Sequence, residues 1–283
     1  MDGINPAAIS TTKGASPETR EALLAELKAV EQWERSQKDL WFWEKLGRLP
    51  FMLLDKLTPK FLQDKIGQAI DEVGSYVQTG GQYLISERSV LQGLSRRSEA
   101  SGKQRVETVA EAARLPIAVM DAEADDFAGT RAKLAAVQGA TTGIGGIFTL
   151  AIDIPALLSL SLKVLQEIAL CYGYDPKDQK ERMFVVLCLQ FASSDIVGKR
   201  AVLEKLSTFD SDQKQHQAFS QLQGWREVVA TYRDNFGWKK LFQMVPIAGM
   251  LFGAFLNKGT LQDVAEAGKM LYRKRRILER LTC

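Results

Sequence analysis

Histidine is almost absent from this chain: His216 stands alone among 283 residues. Its neighbours are Gln215 and Gln217, with no serine, cysteine or acid set about it in a nucleophile motif, so a Ser–His or Cys–His hydrolase has little support. Cysteine is scarce as well. Cys171, Cys188 and Cys283 are odd in number and widely spaced, which argues against a disulfide framework or paired metal site and for a reducing, cytosolic setting. Neither sign of charge dominates: 37 Lys and Arg against 34 Asp and Glu leave +3, too little to demand a polyanion, and no nucleic-acid partner is expected. The N-terminal stretch MDGINPAAISTTKGASPETR lacks both the basic start and the apolar core of a secretory signal. Alternating strand patterns are missing, and no cofactor or metal is expected. Hydrophobic content, by contrast, is 46%, ample for a core.

The most apolar and most constrained stretch is Gly139 to Pro176. From Gly143 to Leu162 its only charge is Asp153. A membrane span needs about 20 apolar residues. Ten Leu, Ile and Phe residues in this run contribute about −3 to −6 kcal/mol of insertion energy, and a central Asp returns about +2.5 to +3.5. Glycines, serines and a proline narrow the margin further, so the segment reads as a buried core element that touches a bilayer rather than crosses it. Asp153, Ile154 and Pro155 predict a helix start, with a short acid at the cap and proline in the first turn. The helix is expected to end at Cys171, with Lys163 and Glu167 paired four residues apart. Gly173, between Tyr172 and Tyr174, suits a left-handed cap. Asp175 and Pro176 predict the next start by the same logic.

Elsewhere the pattern is helical. Residues 1–15 are small and polar and are expected to be disordered. Ser16-Pro17-Glu18 predicts a helix whose buried face is Leu23, Leu24, Leu27, Val30 and Trp33. Trp41 and Trp43, in an apolar run reaching Leu54 with Lys38, Lys45, Arg48 and Lys56 around it, suit a membrane interface as well as an aromatic core. A short helix is expected from about Tyr83 to Leu94, then a flexible loop from Ser95 to Lys103, then a helix broken before Pro116. Asp121, Glu123, Asp125 and Asp126 lack the spacing of a calcium loop and read as a solvated helix face. A buried helix is expected from Pro176 to Ala192 and another from Asp195 to Leu206. In MVPIAGMLFGAFLNKGT, Gly249 and Gly253 sit four apart after Pro246 and before Asn257, an interval that lets helices approach closely. Thr260 and Asp263 predict the start of a last helix. Its polar side gathers Lys269, Arg273, Lys274, Arg275, Arg276 and Arg280, a basic amphipathic face suited to an anionic bilayer or to its own C-terminal dipole.

The glycine-rich GATTGIGGIF, the turn AIDIPALL, the helix end EIALCYGYDP and the later VPIAGMLFGAFLN occur in order, and together they resemble the EcsC family of bacterial proteins. The resemblance covers roughly residues 30 to 275, with the usual ADIP turn standing here as Ile152-Asp153-Ile154-Pro155. It implies a membrane-proximal, cytoplasmic role, since the family takes its name from a gene beside components of an ABC transporter. It supplies no catalytic residue.

These readings predict an all-α protein: one compact multi-helix bundle over residues 16–283, built around two glycine-rich apolar helical hairpins. The expected function is non-enzymatic, a protein lying peripherally on the inner membrane face and binding lipid or a membrane-protein partner. Trp41, Trp43 and the six cations of the last helix are the candidate membrane surface. Gly143, Gly145, Gly146, Asp153, Pro155, Glu167, Tyr172, Gly173, Tyr174, Asp175, Pro246, Gly249, Gly253 and Asn257 are the candidate ligand-binding positions. The competing reading is a hydrolase-type enzyme with Asp153, Glu167 and Asp175 converging in an apolar pocket.

Overall fold

A computed structural model describes residues 18–37, 75–76, 85–142, 147–193, 196–207, 209 and 253–282. Within it, 136–142, 147–157, 193, 196–198, 253–258 and 260 are described by their backbone alone. The described residues are helical and contain no strand. Eight helices follow in order among them: α1 Arg20–Ser36, α2 Glu87–Ala100, α3 Val109–Ala112, α4 Ile117–Thr142, α5 Ile147–Cys171, α6 Gln179–Ser193, α7 Ile196–Ser207 and α8 Gly253–Thr282.

The helices pack into one bundle centred on α5 and α8. α8 lies against α1, α4, α5 and α6, while α5 also touches α2, α3, α4 and α6. The centre is apolar: Leu158, Leu162, Leu165, Ile168 and Leu170 of α5 are fully buried with Met120, Leu94, Phe191 and Tyr272. Each buried aliphatic side chain of this kind adds about 1.5–3 kcal/mol of transfer free energy. Gly268 of α8 packs directly on α5, where a Cβ would stand 2.4 Å from the Leu165 Cδ2.

Several element boundaries differ from the sequence reading. α5 begins at Ile147, so Asp153-Ile154-Pro155 falls inside the helix rather than at its start. The apolar run before Asp153 extends the helix backwards, with one amide lost at Pro155. α8 likewise begins at Gly253, ahead of the expected start at Thr260. α1 is capped by Thr19, whose side chain accepts from the Ala22 amide. α2 runs on through Ala100, so residues 95–100 are helix and only 101–103 of the expected loop turn away. The serines there are used internally: Ser95 Oγ accepts from the Val106 amide at 3.0 Å and Ser98 Oγ donates to the Gln104 carbonyl at 2.7 Å. α6 starts at Gln179, because Asp175 accepts from the Lys177 amide at 2.9 Å and forms a turn before the helix. The break before Pro116 is present, with α3 and its Thr108–Glu111 capping box ahead of it. The glycine-rich turn at 143–146, and the second hairpin up to residue 252, lie outside the described residues.

Candidate functional site

The end of α5 is where most of the polar structure converges. Tyr174 N–H donates to the Ala169 carbonyl and Gly173 N–H to the Leu170 carbonyl, both at 2.9 Å, and Gly173 has φ +77°. This is the paired bonding of a left-handed helix cap. A Cβ on Gly173 would lie 2.4–2.5 Å from the backbone of Ala113, so glycine is required by the close approach as well as by the torsion. Arg276 completes the cap from outside, its guanidinium donating to the Tyr172 carbonyl at 2.6 and 2.9 Å. It also covers the Tyr174 ring, 4.3 Å from the centroid.

Arg275 lies beside it, over Tyr174 at 4.3 Å and Phe184 at 4.9 Å, and donates to both oxygens of Glu181 at 2.8 Å. Both partners are buried. Tyr272 is fully enclosed nearby, and among the described residues neither its hydroxyl nor that of Tyr76 has a hydrogen-bond partner. Burial pushes the Tyr272 phenol and the Cys188 thiol well up, and Glu181 adds to both shifts. Cys171 is raised by burial too. These thiols are held protonated, the opposite of what a nucleophile needs.

On the other side of the same helix end, the Tyr172 hydroxyl donates to Asp121 of α4. Asp121 also faces Arg273 at 3.2 Å, and Arg273 pairs with Glu26 of α1. Burial raises the Asp121 carboxyl above its ordinary value, against the pull of Tyr172 and Arg273. The other acids of α4 are engaged as well. Glu123 and Asp126 both hold Arg97 of α2, and Asp125 pairs with Lys269 at 2.7 Å. The run is therefore divided: Glu123 is buried and Asp121 half-buried among cations, while Asp125 and Asp126 stand on the solvated face the sequence predicts and pair from there. Among the described residues no cluster of acids, cysteines or histidines is arranged to hold a metal.

The six cations of α8 from Lys269 to Arg280 have partners within the fold. Lys269, Arg273, Arg275 and Arg276 are accounted for above, Arg276 pairing also with Glu279 at 2.7 Å. Lys274 grips both oxygens of Glu34 at 2.7 and 2.8 Å. Arg280 pairs with Glu18 and donates to the Ala113 and Leu115 carbonyls at 2.9 and 2.6 Å. Glu18 in turn accepts from the Ile117 amide at 2.6 Å, an acid placed at the positive end of α4. The basic face read from the sequence is thus turned toward α1, α4 and α6.

The EcsC protein family model matches residues 25–277. The chain belongs to the EcsC family. It is 57% identical over 264 residues to a Bacillus subtilis (strain 168) protein named uncharacterized protein YdbA, covering 93% of this chain and 96% of that one. It is also 33% identical over 147 residues to protein EcsC of the same strain, covering 52% of this chain and 59% of that protein. No solved structure matches.

Of the three acids of the enzyme reading, the two whose side chains are described, Glu167 and Asp175, are engaged separately. Glu167 is 2% exposed and is bound by two nitrogens of Arg131 in α4, not by Lys163. Asp175 is occupied by its own turn, and the Asp153 side chain lies outside the described residues. The described cleft, about 750 Å³, is elsewhere, lined by Arg88, Gln92, Arg96 and Glu99 of α2 with Arg105 and Glu107. Trp41, Trp43, Gly143, Gly145, Gly146, His216, Pro246 and Gly249 also fall outside the described residues. Pro155 lies within α5, Gly253 opens α8 and Asn257 follows one turn later, all three by backbone alone. Arg131, Arg97 and Glu181 carried no motif, and Glu18 was read only as part of the Ser16-Pro17-Glu18 helix start. Their only signal was a charge on an otherwise apolar or capping stretch.

Proposed function

We propose that this EcsC-family protein is a non-enzymatic helical bundle that sits peripherally on the cytoplasmic face of an anionic membrane. The observation that carries the reading is the aromatic and basic sequence around Trp41 and Trp43, which supplies rings for the membrane interface and cations for anionic lipid. The apolar residues of α5 from Leu158 onward are used inside the bundle, and no helix among the described residues is long and apolar enough to cross a membrane. Protein EcsC, to which about half of the chain is similar, gives the family its name, and a membrane-protein partner is the natural extension of this reading.

The test is flotation of the purified protein with vesicles of phosphatidylglycerol and phosphatidylethanolamine at low salt, where attraction between charges is least screened. The protein is expected to rise with the vesicles and to be released by high salt in part. A protein that stays at the bottom of the gradient under these conditions defeats the reading.

A further inference from the structure

α1 runs antiparallel to α8: Glu18 meets Arg280, Glu26 meets Arg273, and the Trp33 indole donates to Glu266 at 2.6 Å. Beneath the charges lies a small apolar cluster of Leu23, Val30, Ile117 and Ile277, flanked by Leu27, Met270 and Leu281. This cluster is separate from the main core. The face of α8 that α1 covers therefore carries Met270, Ile277 and Leu281 between Arg273, Lys274 and Arg280. Apolar side chains flanked by cations on one helix face are the composition that binds an anionic lipid surface, and two carboxylates, Glu18 just ahead of α1 and Glu26 within it, stand where headgroup phosphates would stand. The two ends of α1 are held differently. At its far end Trp33 packs on Phe191 at 5.6 Å and Gln37 accepts from Lys199 at 2.8 Å. The half from Glu18 to Val30 rests on ion pairs and the small cluster, and Glu26 is 42% exposed, within reach of screening salt.

We propose that α1 is a displaceable strap, and that an anionic bilayer replaces its carboxylates on α8, exposing the covered face as a membrane-docking surface. The inference rests on the peripheral-membrane reading above and adds to it which face docks and what masks that face. Opening pivots on Trp33 and begins at the Glu18 end, where the charges are replaced and the small cluster gives way.

Two measurements on the full chain test this. The first compares vesicle partitioning of the wild type, the double variant E18Q/E26Q and the control E21Q/E31Q, which removes the same charge from exposed positions. The strap variant is expected to gain about tenfold in partitioning, one decade corresponding to little more than the effect of one cation near the surface, and the control about twofold or less. Equal gains in both variants overturn the strap. The second follows amide hydrogen exchange of the wild type with and without phosphatidylglycerol vesicles, and needs no variant to fold. Residues 20–30 are expected to lose protection on the vesicles while residues 270–281 keep theirs. Vesicle binding with residues 20–30 still protected overturns the strap and leaves the membrane reading standing. No binding by any of the three proteins defeats both.

Discussion

The centre of the bundle around α5 and α6 and the seam where α8 meets α1 and α4 are packed equally close but by different physics. In the centre, Leu162, Leu165, Ile168, Phe184 and Phe191 exclude water and need no particular partner. Along the seam each long polar side chain has a named counterpart, Lys269 with Asp125, Arg273 with Asp121 and Glu26, Lys274 with Glu34, Arg280 with Glu18. Burial in the centre is non-directional, whereas the seam works only in one register. The seam thus fixes how the helices are set, and the centre supplies most of the stability.

The contrast can be tested by urea unfolding, beginning with the largest effect. Phe184→Ala, which empties the space against Tyr272 and Phe209, is expected to cost about 3–5 kcal/mol. Glu181→Gln leaves the buried Arg275 charge with Glu279 at 3.6 Å and its ring contacts in place of a buried carboxylate and should cost about 3 kcal/mol, while Glu181→Leu with Arg275→Met should recover most of that loss. A double variant no more stable than the single would show that the buried pair itself, not its imbalance, holds α6 to α8. Gly173→Ala, strained at φ +77° and set against Ala113, should cost about 2 kcal/mol.

Asp121 gives a smaller, pH-dependent effect. Its folded carboxyl is raised by burial, so between the ordinary aspartate value, about 3.9, and the raised one the folded state binds more proton than the unfolded. Stability contributed by this group therefore falls as pH rises through that window. The wild type should gain on Asp121→Asn as pH is lowered from neutrality, as read by unfolding curves across the acid range. A difference that stays flat, or moves the other way, would place Asp121 in a wetter site than the one described. The smallest effect belongs to Lys269→Ala. Asp125 is 60% exposed, and the change should cost less than about 1 kcal/mol and vanish in salt.

The bundle was legible because helix spacing and caps are local: the buried stripe of α1, the break before Pro116 and the end of α5 at Gly173 all follow from nearby residues. Helix starts were read less well. Asp153-Ile154-Pro155 and Thr260 have the composition of caps but sit inside α5 and α8, where the apolar residues before them carry the helix on. The pairings were not legible at all. Arg97 stood in what read as a loop, Asp121 and Glu123 read as solvated like the exposed Asp125 and Asp126 beside them, and the six cations from Lys269 to Arg280 read as an outer face. Charge pattern along one helix reports that a polar partner exists, but not whether that partner is water, lipid or another helix of the same chain.

The pairing of α1 with α8 has a consequence for synthesis. Glu18 and Arg280 are 262 residues apart, and Trp33 and Glu266 are 233 apart. At ribosomal rates α1 emerges on the order of ten to fifty seconds before the helix that receives it. During that interval the carboxylates of α1 and α4 have no cations from α8, and Leu165 has no Gly268 against it. Translation of α8 is therefore the step that shuts the bundle, and a pause just ahead of it would hold a nascent chain open along its whole polar side.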